Sequence, residues 1–307
     1  MLNIRAHGNA LIFTIALEVI KIMSYLHQIK ACNGYTLKDF RPFYVDEVQV
    51  GHIRSSFAEK LQSWPAVFRV TPAAVYLAPD LRSFATRTEK VKDVLKALLE
   101  KGILPRWHGE EYPVTASSRE AALFAIDRGA APYFGIRAFG QHLNGFVYDG
   151  GQLKIWIGRR SPTKWNAPDK LDNLVAGGVP HGVPLGENLA KECWEEAAIP
   201  SDLAAQAIPV GYISYRMETA QGFKPDVMYC YDLELPSDFM PQCQDGEVEE
   251  FYLWPMEKVA ALVRETHSFK KNCNLVVIDF LIRRGFITPE HPDYLEMVAG
   301  LRVPLEA

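Results

Sequence analysis

The amino-acid sequence predicts a mixed α/β (α+β) chain organised as two modules, and three observations lead there. Short apolar runs separated by Pro and polar turns occupy residues 24–115. From about residue 118, strand-like runs alternate with helical patterns, which suits a mixed sheet held between helices. In the middle of that second module, a glycine loop runs into an acidic helix at residues 176–200. A length of 307 residues is enough for two proper cores. The expected divisions are an extension at 1–22, an amino-terminal α+β module at 23–116 and a larger module at 117–307.

Each element has its own warrant. The extension carries a short apolar run at residues 10–16, soon broken by Glu18 and Lys21. That run is too short to span a bilayer and lacks a small-residue cleavage site. Met23 stands as an alternative start. A helix is expected at 25–31, then strands at 43–45, 48–51, 67–70 and 74–77. Val91, Val94, Leu95, Leu98 and Leu99 recur at helical spacing, so a helix is expected at 89–99, ending before Gly102. Arg106, Trp107 and His108 read as packing or rim residues. In the second module a helix is expected at 119–128, with Ala121, Leu123, Phe124 and Ile126 on its apolar side. Strands follow at 143–148 and 153–157, joined by an Asp149-Gly150-Gly151 turn. Further strands are expected at 210–215, 227–233 and 249–254. Helices at 255–265, 272–284 and 289–301 close the chain.

The segment AGGVPHGVPLGENLAKECWEEAAIP carries the chemistry. Glu192, Glu195 and Glu196 stand at i, i+3 and i+4, so a helix places them on one face within about one turn. Such a run is commonly a solvated helix face, where the three carboxylates repel one another. A hard divalent cation such as Mg²⁺ removes the conflict, because it takes oxygen ligands and tolerates clustered negative charge. Leu189, Cys193 and Ala197 recur every fourth residue and can pack inward. Gly177, Gly178 and Gly182 form a loop able to bring backbone close to a phosphate, and Pro184 suits a helix start.

In register, this segment resembles the signature of the Nudix hydrolases: Gly, five residues, Glu, seven residues, Arg-Glu, an aliphatic residue, any residue, Glu-Glu, any residue, Gly, aliphatic. The spacing from Gly177 to Ile199 is intact and the three glutamates are present. Val183, Lys191 and Ala198 stand where the signature has Glu, Arg and Gly. Replacing Arg removes a bidentate fork and weakens the positioning of the neighbouring glutamate. From Met23 onward the chain is similar to the Nudix subfamily related to thiamine pyrophosphokinase. The stretches that carry this are HLNGFV from His142, WIGRRS from Trp156 and KLDNLVAGG from Lys170. YDLELP from Tyr231, DGEVE from Asp245 and FKKNC from Phe269 continue it. Residues 107–114, WHGEEYPV, resemble the domain of unknown function that precedes this Nudix type.

The resemblance implies a Nudix α/β/α sandwich with a mixed sheet, preceded by a smaller α+β domain. It implies Mg²⁺, with Mn²⁺ as a substitute, on Glu192, Glu195 and Glu196, the last two acting in catalysis. The expected reaction cleaves a diphosphate to a monophosphate and orthophosphate, with thiamine diphosphate or its oxidised analogues as substrate. A nucleoside diphosphate derivative is the alternative substrate, and a catalytically weak sensor of a diphosphate ligand is the alternative role. Nudix enzymes commonly recruit another acid from a later loop, which nominates Glu247 ahead of Glu249. A solvated turn is the plainer reading of that acidic run. Gly177 and Gly178 fit beside the metal, and Arg159, Arg160 and Lys164 are candidate phosphate clamps or surface ion pairs. His142 has no partner at a spacing that would make it a general base.

Composition sets the remaining expectations. A formal net charge of −4 without a basic tract argues against nucleic-acid binding as the main role. The five cysteines are scattered without paired spacing, as in reduced thiols of a cytoplasmic protein rather than a zinc site or disulfide frame. No membrane partner is expected, and a homodimer fits the resemblance.

Overall fold

The structure is a computed structural model and describes residues 24–305. The extension at 1–22 and the alternative start at Met23 lie outside the described residues. The chain opens with α1 (Tyr25–Cys32), whose first turn is capped by the Ser24 hydroxyl accepting from the His27 amide at 3.1 Å. Strands β1 (Phe40–Val45) and β2 (Val48–Arg54) form an antiparallel hairpin. After α2 (Ser55–Leu61) come β3 (Phe68–Val70) and β4 (Val75–Leu77), which complete a sheet ordered β2-β1-β4-β3. The long helix α3 (Phe84–Glu100) buries Val91, Val94, Leu95 and Leu98, as the spacing predicts.

Residues 119–128 do not form the expected helix. A 3₁₀ turn at Arg119–Ala121 leads into β6 (Phe124–Asp127), which pairs antiparallel with β5 (Glu111–Val114). Phe124, Ala125, Ile126 and Asp127 are all buried, so both strand faces are covered and the run shows no alternation. Phe124 joins Phe43, Phe68 and Phe134 in one aromatic cluster, with Phe43 and Phe124 ring centroids 6.5 Å apart and Phe43 and Phe134 5.6 Å apart. The first core therefore continues past residue 117, through the short α4 (Ala131–Phe134), to Ala138.

The second core is built on a mixed sheet. Its strands are β7 (Phe139–Asp149), β8 (Gln152–Arg160), β9 (Leu171–Asn173) and β10 (Val175–Gly178), followed by β11 (Ile208–Glu218), β12 (Phe223–Glu234) and β13 (Val248–Pro255). The order is β11-β12-β7-β8-β13, with β10 on β7 and β9 on β8; β12 runs parallel to β7 and the other pairs are antiparallel. Gly150 and Gly151 make the β7–β8 turn with φ of 58° and 81°, a region open to glycine at little cost. Helices α5 (Leu185–Ala197) and α6 (Ser201–Ala204) cover one face. Helices α7 (Met256–Glu265), α8 (Lys271–Arg283) and α9 (Tyr294–Gly300) cover the other. This is the expected mixed sheet between helices, preceded by a smaller α+β unit.

The two units share material. Helix α1 buries Ile29 and Cys32 in the core of the second unit, and the Gln28 side chain donates to the carbonyls of Val263 and Thr266 at 3.0 and 2.9 Å. Among the described residues, no helix is long and apolar enough to cross a membrane.

Candidate active site

Helix α5 presents its glutamates in two distinct environments. Its inward side is Leu189, Cys193 and Ala197, packed under the sheet. Glu192 and Glu196 are only 9 % and 5 % exposed, whereas the Glu195 side chain is 38 % exposed. A solvated face would expose all three. Glu196 has no cationic partner among the described residues and accepts the Ala176 amide of β10 at 2.7 Å. Burial, followed by the nearby charges of Asp172, Glu192 and Glu247, pushes its carboxyl up to about 8 despite that amide. Burial likewise raises Glu192, against the pull of Lys191. Lys191 offsets only the outer side of this carboxylate cluster and leaves Glu196 without a cation, and a divalent ion is the group whose charge and oxygen preference fit it.

The departures from the signature have local explanations. Lys191 reaches Glu195 at 2.8 Å and Glu192 at 3.4 Å, so from the arginine position its ammonium links two of the three glutamates. Val183 is held through its backbone carbonyl, which accepts from Arg119 at 2.7 Å. Ala198 ends the helix in the left-handed region, at φ 52°, the conformation for which glycine is suited.

Strand β10 lies directly beside these glutamates. A Cβ at Gly177 would sit 2.3 Å from Cδ of Glu192, so only glycine leaves room for that carboxylate. A Cβ at Gly178 would meet the Tyr112 hydroxyl at 1.9 Å and Cζ of Arg128 at 3.0 Å. Tyr112 on β5 and Arg128, just after β6, thus press on the glycine strand from the amino-terminal unit. Sequence reasoning missed both. The sequence pattern sets Arg128 at the end of a helix and marks Tyr112 only as part of the WHGEEYPV resemblance.

Glu247 approaches from the loop before β13. It forms an ion pair with Lys164 and lies within electrostatic reach of Glu196. Its burial is outweighed by Lys164, Arg160 and Arg128, which hold its carboxyl below the ordinary value. Glu249 is exposed, and a bulge interrupts the register between Val248 and Glu250. The nominated cations point elsewhere in part. Arg159 pairs with Asp169 and Glu250 at 3.3 and 3.5 Å, while Arg160, its neighbour on the strand, is buried against Asp172 at 2.8 Å. Arg160 also donates to the carbonyls of Asn166 and Ala167, tying down the loop after β8.

His142, Asp172 and Cys273 form a buried group whose ligand atoms lie within 4.8 Å of one another. Cys273 Sγ donates to Asp172 at 2.6 Å, and His142 Nδ1 meets Asn173 Oδ1 at 2.9 Å. Burial and Lys270 lower the His142 imidazole to about 4, so it is neutral. The charges of Arg160 and Lys270, both on Asp172, disfavour a further cation there.

A cleft of about 650 Å³ opens between the two units. Gly177, Gly178, Tyr112 and Arg128 line one part of it; Phe223, Asp226 and Trp165 line others. Arg106 and His108 stand on its amino-terminal wall, while Trp107 packs on the first core. Carboxylates for a cation, packed behind a glycine strand that lines a half-open cleft, fit a hydrolase acting on phosphoric anhydrides.

Comparison with known proteins agrees. Residues 24–138 match the family described as domain of unknown function DUF4743. The chain is 44 % identical over 292 residues to Nudix hydrolase 20, chloroplastic, of Arabidopsis thaliana, covering 92 % of this chain and 78 % of that one. It is 45 % identical over 285 residues to Nudix hydrolase 24, chloroplastic, of the same plant, with the same coverage of each chain. An uncharacterized protein of Saccharomyces cerevisiae is 37 % identical over 210 residues, covering 64 % of this chain and 60 % of that one. Among solved structures, DR0079 from Deinococcus radiodurans is 21 % identical and covers 55 % of this chain and 98 % of its own, at a TM-score of 0.42. The chain belongs to the Nudix hydrolases, enzymes that generally use divalent metal ions.

Proposed function

We propose that the protein is a Mg²⁺-dependent diphosphatase that releases orthophosphate from thiamine diphosphate or its oxidised analogues. The observation that carries this reading is the pair of buried glutamates, Glu192 and Glu196, set against the glycine strand at the cleft between the two units. Glu192, Glu195 and Glu196 would hold the ion, which supplies charge neutralisation for the diphosphate and lowers the pKa of a coordinated water. Glu247 would add an acid from the loop before β13, and its ion pair with Lys164 supports this by favouring the ionised carboxylate. Gly177 and Gly178 let Glu192 and Arg128 close on β10, beside which the phosphates would lie. The rest of the cleft offers the exposed indole of Trp165, a face on which a flat cationic ring could stack. The contacts of Lys191 with Glu192 and Glu195 favour an enzyme over a catalytically weak sensor. Five free cysteines, four of them buried, favour a reducing compartment such as the cytoplasm.

The test is kcat/KM for thiamine diphosphate, its oxidised analogues and a simple nucleoside diphosphate, each with and without Mg²⁺. The proposal expects Mg²⁺-dependent phosphate release with a preference for the thiamine type of at least about tenfold, roughly 1.4 kcal/mol of discrimination. Equal rates across the panel, or a preference for the nucleoside, would remove the thiamine assignment and leave the diphosphatase.

A further inference from the structure

We infer that Arg128, supplied by the amino-terminal unit, is the cation that receives the diphosphate beside the glycine strand. This rests on the diphosphate reading above and goes beyond the signature helix. The three cations nominated from the sequence are engaged elsewhere: Arg159 with Asp169, Arg160 with Asp172, and Lys164 with Glu247. Arg128 instead lines the cleft, with Cζ 3.0 Å from the Cβ position of Gly178. Its side chain is 35 % exposed, open enough to meet a ligand. Glu110 takes its Nη1 at 2.7 Å, and the guanidinium lies 5.5 Å from the Tyr112 ring centroid, so the group is oriented before any ligand arrives. The Arg128 charge also acts on Glu192 and Glu247, which places it on the metal side of the cleft. A planar fork there matches the geometry of a phosphate. The amino-terminal unit would then complete the phosphate site itself, as well as walling the ring.

The competing role for Arg128 is a structural ion pair with Glu110, and the experiment separates the two. Binding of methylenediphosphonate, a non-hydrolysable diphosphate, is measured calorimetrically with saturating Mg²⁺ on the full chain and on three variants. Loss of a charged hydrogen-bonding partner predicts that Arg128→Gln weakens binding by about tenfold to a hundredfold. Mg²⁺ binding alone should stay within about threefold on the same scale. Arg128→Lys keeps the charge without the fork and should recover part of the loss. Glu110→Gln keeps the guanidinium and should weaken binding less than Arg128→Gln. The inference is overturned if folded Arg128→Gln binds like the wild type, if both Gln variants lose equally, or if the wild type does not bind. Should Arg128→Gln fail to fold, Arg128→Lys decides, with wild-type affinity and wild-type KM counting against the inference. Turnover is scored separately: Arg128-dependent binding without hydrolysis of any diphosphate keeps this inference and removes the proposed activity.

Discussion

At the scale of single residues, the acidic helix was legible because metal chemistry restricts both residue type and spacing. Three carboxylates within one turn stand out in a string of letters, and so does the glycine pair ahead of them. The contribution of Arg128 and Tyr112 was not legible, because it depends on a hairpin from the other unit meeting β10. Arg160 could be nominated by charge alone, yet its placement depends on Asp172, a partner twelve positions away and on another strand. Ala198 makes a residue-scale prediction. It holds φ 52° at the helix end, where the Cβ is strained and glycine is not. Ala198→Gly should therefore raise stability by about 1 kcal/mol in urea unfolding, the relief of left-handed strain less the added chain entropy of glycine. An unchanged or lower midpoint at equal slope would show that the strain is absorbed elsewhere.

At the scale of elements, the long strands and helices were recovered because their periodicities are clean. Strands β7, β8, β11, β12 and β13 and helix α3 each contain the run from which they were expected, and α7 and α8 match theirs to within one residue at an end. Among the short elements, β3, β4 and α1 fall where their apolar runs predict, whereas β6, β9 and β10 do not. β9 and β10 have three and four residues and include Asp, Asn and two glycines, none of which signals a strand. β6 was misread because burial on both faces erases the alternation that distinguishes a strand from a helix. Strand β9 carries the prediction at this scale. Burial pushes the Asp172 carboxyl upward, but Lys270 and then Arg160 outweigh it and hold it well below the ordinary range. A carboxyl depressed in the folded state contributes stability above its unfolded value of about 3.9, and that stability is lost as pH falls through the folded value. Asp172→Asn should cost about 3–5 kcal/mol near neutrality, because it leaves Arg160 and Lys270 buried without their counter-charge. It should also flatten the decline in stability below about pH 4. A variant as stable as the wild type at pH 7, with the same acid limb, would mean the two cations find other partners.

At the scale of the whole molecule, the two units are joined more closely than the sequence suggests. A break near Ser118 would part β5 from β6, and removing the start of the chain would take α1 out of the second core. The cleft between the units exists because both contribute walls, and the glutamates of α5 lie at its edge through β10. The central claim is that these buried glutamates form a site for Mg²⁺-dependent hydrolysis of a diphosphate. Glu196 is the most direct probe, since it is nearly inaccessible, unpaired with any cation among the described residues and crowded by other carboxylates. Steady-state phosphate release from thiamine diphosphate across a Mg²⁺ titration should be compared between the wild type and Glu196→Gln, alongside the thermal midpoint of each without metal. The account predicts Mg²⁺-dependent turnover that falls by at least about a hundredfold in the variant, with a metal-free midpoint level or higher because the amide avoids the desolvation that burial imposes on an ionisable carboxyl. Near-wild-type Mg²⁺-dependent turnover in a folded Glu196→Gln protein would contradict it.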